Sequence, residues 1–152
     1  MIGEEFMSLS LRKANMDDAL DILKWRNDEK SIDGSFSKEK IAIPQHMEWY
    51  KKKLASDKCH MFILEEDGEK AGLVRVDQEG NVGELSIMIA PEKRGRGFGN
   101  EIMALVEKHL PEGVNALVGF VLPDNHPSRK MYLANGYNEF IAGDVTCYIK
   151  LF

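Results

Sequence analysis

A short basic segment near the middle of the chain carries glycine at every second position. It consists of Arg94, Gly95, Arg96, Gly97, Phe98, Gly99 and Asn100. Glycine lets the backbone approach a ligand closely because no Cβ stands in the way. The apolar periodicity that begins at Phe98 predicts a helix, and free N–H groups and the positive dipole end at a helix N-terminus bind anions. We therefore predict a pyrophosphate-binding loop, to which the arginines add positive charge.

Two common phosphate-binding motifs do not fit this segment. A dinucleotide-binding Gly-x-Gly-x-x-Gly that starts at Gly95 would need glycine in place of Asn100. It would also need an acidic residue about 20 positions downstream, where Gly119 and Phe120 stand. A P-loop needs Gly-Lys-Ser or Gly-Lys-Thr, which the chain lacks. Both alternatives fail.

The segment fits a different pattern, and a second group of residues supports it. Arg94, Gly97 and Gly99 match Gln or Arg, then x-x-Gly-x, then Gly or Ala. A later pattern, Asn-x-x-Ser-x-x-x-Tyr-x-x-x-Gly followed by Phe or Tyr, is met by Asn125, Ser128, Tyr132, Gly136 and Tyr137. With these two motifs the chain resembles the GNAT superfamily of acetyl-CoA-dependent N-acetyltransferases. The resemblance spans nearly the whole chain, including the order of its elements.

This resemblance implies acetyl-CoA as co-substrate and no metal. The loop of residues 94–100 would bind the diphosphate of coenzyme A. In the family, the strand before the loop splays from its neighbour, which would place the main chain of Ile87, Met88 and Ile89 against the pantetheine and acetyl group. Asn125 would bond coenzyme A or cap the following helix, and Arg129 is a candidate contact for its phosphates.

Two residues are candidates for proton transfer. Acetyl transfer to an amine needs a neutral amine and a protonated thiolate leaving group. Tyr132 occupies the position where many family members place a tyrosine near the coenzyme A sulfur, or else it packs on an amphipathic helix with its hydroxyl in water. Glu84 lies near the position of a general base in some relatives, or else it is a solvent-facing residue at a strand start.

The acceptor side is expected in the first two helices. Arg26, Asn27 and His46 would line the substrate cleft of this fold, together with Trp49, although aromatic residues are more often core anchors. His46 is equally well explained as a structural histidine. These residues resemble the branch that acetylates amino groups of nucleotide-linked sugars, represented by the pseudaminic acid pathway N-acetyltransferase. The alternatives are a ribosomal-protein-type peptide N-terminal acetyltransferase and a non-catalytic acyl-CoA-binding module.

Composition narrows the class of protein. The chain has 152 residues, a formal net charge of −5 and 30% charged residues, which suit one globular domain over 1–152 without a nucleic-acid-binding surface. Cys59 and Cys147 form no Cys-x-x-Cys pair, and with four scattered histidines they give no metal-ligand spacing. Residues 1–5 lack a basic export signal, and no run of 18 apolar residues exists. We expect a cytoplasmic enzyme without membrane or nucleic-acid partners that acts on a small-molecule or peptide amine; a homodimer is left open.

The predicted elements give a mixed α/β (α+β) GNAT fold. Its largely antiparallel sheet of about seven strands is flanked by about four helices in the order β-α-α-β-β-β-α-β-α-β-β. Strands are expected over Ser8–Lys13, His60–Glu66, Lys70–Asp77, Val82–Ala90, Val114–Leu122, Tyr137–Ala142 and Thr146–Phe152. Asn15 is expected to cap the first helix, and Pro44 to open the second after an irregular segment over Asn27–Ile43. Ile102, Leu105, Val106 and His109 are predicted to share one side of the helix that begins at Phe98.

Overall fold

A computed structural model describes residues 8–152, which form one sheet and the helices that cover it. The seven strands are β1 (Leu9–Lys13), β2 (Cys59–Glu66), β3 (Glu69–Glu79), β4 (Val82–Ile89), β5 (Ala116–Val121), β6 (Asn138–Ala142) and β7 (Val145–Leu151). The helices are α1 (Ala19–Arg26), α2 (Glu29–Asp33), α3 (Ile43–Ala55), α4 (Phe98–Lys108) and α5 (His126–Ala134). The strands lie in the order β1-β2-β3-β4-β5-β7-β6. This architecture confirms the mixed, largely antiparallel fold predicted from the sequence.

The sheet opens between β4 and β5, which form its parallel pair. Their registered pairs run only from Val82 with Ala116 to Glu84 with Val118. Beyond this point β4 stays paired with β3 as far as Ile89, while β5 stays paired with β7 as far as Val121. The two strands therefore separate, and the last residues of β4 have no neighbour on the β5 side. This gap positions the candidate site.

Alternation along the strands divides the core between the two faces of the sheet. On one face, α4 and α5 pack with Leu64, Val74 and Leu117 of the sheet. On the other, α1 and α3 pack over Ile63 and Leu73. Neighbouring residues of a strand point to opposite faces, so Ile63 and Leu64 are both fully buried yet belong to different halves of the core.

Helix α4 corrects one detail of the predicted core. Ile102 and Val106 are fully buried as expected, but His109 is exposed and ends the helix. Met103 is fully buried in its place, and Leu105 is only partly buried. The apolar stripe turns toward Met103 because the helix packs against both the sheet and α5.

A second correction concerns the segment between the first two long helices. The sequence predicts an irregular chain over Asn27–Ile43, yet α2 forms there. The side chain of Asp28 caps it by accepting from the Lys30 N–H at 3.2 Å. None of the residues of α2 is buried, so it has no apolar stripe from which a helix could be recognised. By contrast, Asn15 caps the turn before α1 as predicted, in a capping box with Asp18.

Three further features concern the expected class of protein. Within residues 8–152, no helix is both long and apolar enough to cross a bilayer. No group of three or more His, Cys, Asp or Glu residues suited to a metal ion occurs in that range. Cys59 and Cys147 are free thiols. Residues 1–5, for which the sequence predicts no export signal, lie outside the described residues.

Candidate active site

Two adjoining cavities meet at the gap between β4 and β5. The first, called the loop cavity, has a volume of about 950 Å³ and lies over residues 93–100 and one side of α5. The second, called the sheet cavity, has a volume of about 540 Å³ and lies between α1, α3 and the strands β3 to β5. Both are in the range of small-molecule sites. The residues common to both walls are Gly34, Ser35, Ile87, Met88, Asn125, Ser128 and Met131.

The glycines of the loop have the backbone conformation that an anion site needs. Gly95 and Gly97 have φ values of 77° and 79°, a region that other residues rarely adopt. Apart from the glycine itself and its two chain neighbours, no described residue has an atom within 4 Å of a Cβ placed on either. The backbone N–H groups of residues 97–100 have no hydrogen-bond acceptor among residues 8–152. They are the free donors of a helix N-terminus and are suited to phosphate oxygens.

The basic side chains of this segment are largely engaged with acidic partners. Arg96 donates to both carboxylate oxygens of Glu66 at 3.0 and 2.5 Å, and its guanidinium lies over the Phe98 ring. Lys93 donates to Glu66 and to Glu69, each at 2.8 Å. Hydrogen bonds from Arg96 and then Lys93 hold the pKa of Glu66 below its ordinary value. Arg96 does not line the loop cavity, whereas Lys93 does.

Arg94 lines the loop cavity and also binds α2. Its Nη1 donates to the Asp28 carboxylate at 2.6 Å and its Nη2 to the Ser31 hydroxyl at 3.0 Å. The loop arginines thus fix the shape of the loop, and the main-chain donors are left to meet a ligand.

The end of β4 presents main chain to the gap. Ile87, Met88 and Ile89, which are predicted to face the pantetheine, line the loop cavity. The Ala90 N–H donates toward β3, to the Ala71 oxygen at 2.8 Å. Because N–H groups alternate in direction along a strand, those of Ile87 and Ile89 point toward the gap.

Tyr132 and Glu84, the two residues predicted to transfer protons, line the same sheet cavity. Tyr132 is 4% exposed, and its ring stacks on that of Tyr148 with 4.9 Å between centroids. Burial, and after it the charge of Glu84, raises the pKa of Tyr132 above its ordinary value. The phenol therefore stays protonated and can act as an acid. Glu84 is exposed.

The Tyr132 hydroxyl lies against the backbone of Gly119. A Cβ at this position would be 2.2 Å from the hydroxyl oxygen, far inside van der Waals contact. Sequence analysis did not identify Gly119 as a site residue. Its signal was a glycine inside an otherwise apolar strand, which often marks a close approach of another group.

On the acceptor side, Arg26, His46 and Trp49 line the sheet cavity, but Asn27 does not. The Asn27 amide donates to the Ile41 carbonyl and accepts from the Ile41 N–H, both at 2.8 Å, so it fastens the segment before α3. His46 is 2% exposed, and its Nε2 lies 2.8 Å from the Ala19 carbonyl oxygen. This histidine joins α1 to α3.

The remaining predicted cofactor residues divide between the cavity wall and contacts within the protein. Asn125 lines both cavities and caps α5 by accepting from the Ser128 N–H at 3.4 Å. Asn100 lines the loop cavity. Arg129 lines neither, because it donates to Tyr148, to the Pro123 carbonyl at 2.9 Å and to Glu139. Arg129 therefore links α5 to β7 and β6 through hydrogen bonds.

Comparisons with known proteins agree with this geometry. The family described as acetyltransferase (GNAT) domain matches residues 8–138. No curated protein sequence matches the chain. Spermidine N-acetyltransferase from Vibrio cholerae, solved with CoA and spermine, is 23% identical with a TM-score of 0.82, over 94% of this chain and 95% of that one.

Two other solved structures show the same fold. The ribosomal L7/L12 alpha-N-protein acetyltransferase RimL, in complex with coenzyme A, is 13% identical with a TM-score of 0.81, over 95% of this chain and 94% of that one. A putative acetyltransferase from Salmonella typhimurium, yncA, with acetyl-CoA, is 16% identical with a TM-score of 0.75, over 94% of this chain and 93% of that one. At such identities the likeness concerns the fold. The family match covers most of the chain, and the chain therefore belongs to the GNAT acetyltransferase family.

Proposed function

We propose that the protein transfers acetyl from acetyl-CoA to a primary amine that enters the sheet cavity and attacks directly. The observation that carries this proposal is the meeting of the two cavities at the end of β4. On one side stand free N–H donors for a diphosphate, and on the other stand Glu84 and Tyr132. A diphosphate and a reacting amine can thus occupy adjoining spaces without a change in the fold.

The residues present fit coenzyme A. Acetyl-CoA supplies an activated acyl group as a thioester. The N–H groups of residues 97–100 bind the diphosphate, because they have no other acceptor among the described residues. The N–H groups of Ile87 and Ile89 face the gap, where they hold the pantetheine arm and stabilise negative charge that develops on the carbonyl oxygen.

Glu84 and Tyr132 manage the protons of the transfer. Glu84 accepts a proton from the attacking amine, directly or through water. The amine nitrogen then bonds to the carbonyl carbon while the carbon–sulfur bond breaks. Tyr132, whose phenol is protonated at neutral pH, gives its proton to the departing sulfur, and a proton from solvent restores the phenol before the next turnover.

For the acceptor, we favour the 4-amino group of a nucleotide-linked sugar. The Trp49 ring lines the sheet cavity and offers an aromatic face for a sugar ring, and Arg26 offers a donor to its oxygens. A peptide α-amine is the second candidate, since RimL, whose fold is similar, is an alpha-N-protein acetyltransferase.

The proposal is tested by removing the Tyr132 hydroxyl. We expect Tyr132→Phe to lower kcat by about 100-fold, in the range of a lost general acid, while acetyl-CoA still raises the melting temperature. Thiol release from acetyl-CoA measures the rate, with amino sugar nucleotides and N-terminal peptides as acceptors. Tyr137→Phe is the matched control, because Tyr137 is an equally buried tyrosine that lines neither cavity.

Three results would count against this assignment. Equal thermal shifts with acetyl-CoA, NAD and ATP would discredit the loop as a coenzyme A site. Unchanged turnover in Tyr132→Phe would remove the assigned acid. Binding of acetyl-CoA without thiol release on any amine would indicate a non-catalytic acyl-CoA-binding module.

A further inference from the structure

The sheet cavity is lined by more cationic than anionic side chains. Among the described residues of its wall, Arg26 and Arg75 are cationic and Glu84 is the carboxylate. The other polar groups there are serines and amides, the Tyr132 phenol, the Trp49 indole and His46. The chain as a whole has a formal net charge of −5, so this local excess of positive charge runs against the overall balance.

Arg26 has a donor that lacks an acceptor. Its Nη2 donates to the Ser37 carbonyl at 3.1 Å. Its Nη1 is shielded from solvent and has no hydrogen-bond partner among residues 8–152. A buried unpaired donor is unfavourable, and more so when it belongs to a charged group. An oxygen supplied by a ligand in the cavity could satisfy it after a small movement of the guanidinium.

Arg75 places a second guanidinium on the same wall and is held firmly. Its Nε donates to Asp77 at 2.8 Å and its Nη2 to the Ser86 hydroxyl at 3.2 Å. The guanidinium carbon lies 5.1 Å from the centroid of the Trp49 ring. Asp77 itself does not line the cavity. The positive potential of Arg75 is therefore fixed in position, and an anion in the cavity would be attracted by it.

These charges are unsuited to a polycation. Under the function proposed above, Glu84 serves the reacting amine. A second ammonium group in the cavity would lie near Arg26 and Arg75 with no further carboxylate on the wall. Like charges at close range are unfavourable, and they select against such a ligand.

We infer that the acceptor carries an anionic oxygen group, a carboxylate or a phosphate, which Arg26 binds while Glu84 receives the amine. Arg75 strengthens this preference through its charge. The inference rests on the proposed function and defines its substrate class. It makes Arg26 a specificity-determining residue and excludes polyamines as good acceptors.

The experiment compares matched acceptors that differ in one anionic group. One pair is an amino sugar and its phosphate ester, and the other is an amino acid and its amide; spermidine represents polycations. We expect the anionic member of at least one pair to have kcat/KM about tenfold higher than its neutral partner, and spermidine to be the poorest acceptor. The pair that shows the preference identifies the group as phosphate or carboxylate.

Arg26→Gln should abolish the preference while its acetyl-CoA thermal shift stays normal. Lys24→Gln is the matched control, because it removes the same charge from an exposed position on the same helix. A preference that survives Arg26→Gln, or spermidine as the best acceptor, would overturn the inference and leave the acetyltransferase proposal intact.

Binding separates the two proposals if no amine is turned over. The anionic acceptors should then still raise the melting temperature of the CoA-bound protein in an Arg26-dependent way. That result would contradict the transferase proposal alone. If the Arg26-dependent shift is also absent, the inference is contradicted as well.

Discussion

At the scale of single residues, Gly119 determines where the candidate acid lies. The Tyr132 hydroxyl occupies space that any side chain at position 119 would fill. The ring of Tyr132 cannot retreat easily, because Tyr148 stacks on one side and Tyr137 meets it edge-on with centroids 5.1 Å apart. The position of the phenol thus depends on the lack of a side chain at Gly119.

Gly119→Ala should therefore displace the phenol. We expect kcat to fall by about tenfold or more, since misplacement of a catalytic group by about 1 Å is costly, and stability to fall by about 1–3 kcal/mol through overpacking. Thiol-release kinetics and chemical denaturation measure the two effects.

A double-mutant cycle with Tyr132→Phe serves as the control. Once the hydroxyl has been removed, Gly119→Ala should cause little further loss of kcat. Rate losses that multiply in the double variant would show that Gly119 acts independently of Tyr132.

Positions on the cavity wall were predictable where a motif or the family's order of elements fixes the backbone. Tyr132 belongs to the second motif, and its distance along the chain from the loop motif is set by β5 and α5. Its side chain lines the sheet cavity. Asn27 and Arg129 were predicted to contact ligands, but their side chains are used by Ile41 and Glu139, 14 and 10 residues away. Such competition for a polar side chain leaves no trace in local sequence.

At the scale of elements, α2 is the part of the site that depends most on polar contacts. It has no buried residue, and it is tied to the loop by the bonds of Arg94 to Asp28 and Ser31. Residues 34 and 35, directly after α2, line both cavities. The ion pair between Arg94 and Asp28 therefore connects the loop to a segment that lines both cavities.

Asp28→Asn should loosen this connection. Asparagine caps a helix about as well as aspartate, so the substitution removes the charge of the ion pair and preserves the cap. We expect KM to rise several-fold for both acetyl-CoA and the acceptor, with a smaller change in kcat. Steady-state kinetics in both substrates measure this outcome.

The control for this helix is Asp33→Asn, which removes the same charge at an exposed position of α2. High salt should narrow the difference between wild type and Asp28→Asn, because salt screens the ion pair. A change confined to the acceptor KM would contradict the link to the loop.

Elements with an apolar stripe or alternation were predicted well, and α2 was not. The strands of the meander and helices α3 and α4 each bury one face, so their periodicity appears in the sequence. A helix of five residues held by a cap and a distant arginine has no such pattern. The wall of the loop cavity was predictable to the same extent: the loop of residues 94–100 was predicted, whereas the α2 segment beside it was missed.

At the scale of the whole molecule, an ion cluster around a buried carboxylate joins the first helix to the sheet. Asp18 is fully buried and accepts from the Arg12 guanidinium at 2.9 and 2.8 Å and from the Asn15 N–H at 2.9 Å. Lys70 of β3 lies 2.9 Å from the same carboxylate. Burial opposes ionisation, but these hydrogen bonds outweigh it and hold the pKa of Asp18 well below its ordinary value.

The stability of the molecule should depend on pH accordingly. Because the pKa of Asp18 is lowered on folding, its contribution is complete above the unfolded-state pKa of about 4 and is lost as pH falls below it. We expect Asp18→Asn to lower the free energy of unfolding by about 3 kcal/mol at pH 7, since it removes the buried charge to which Arg12 and Lys70 are paired. The variant should also lose less stability than the wild type between pH 6 and pH 3.

Asp21→Asn provides the comparison for urea denaturation at each pH. Asp21 binds the same Lys70 at 3.0 Å but is half exposed, so its loss should cost no more than about 1 kcal/mol. Parallel pH curves for wild type and Asp18→Asn would refute the assignment.

The parting of β4 from β5 has a consequence for how the molecule tolerates sequence change. Under the proposed function, the groups that face the acyl donor across this opening belong to the main chain, which every residue except proline provides in full. Apolar side chains at Ile87–Ile89 should therefore be able to vary without loss of these donor contacts, whereas changes in the sheet cavity should alter the choice of acceptor. The proposed donor site is then tolerant of mutation, and the proposed acceptor site is sensitive to it.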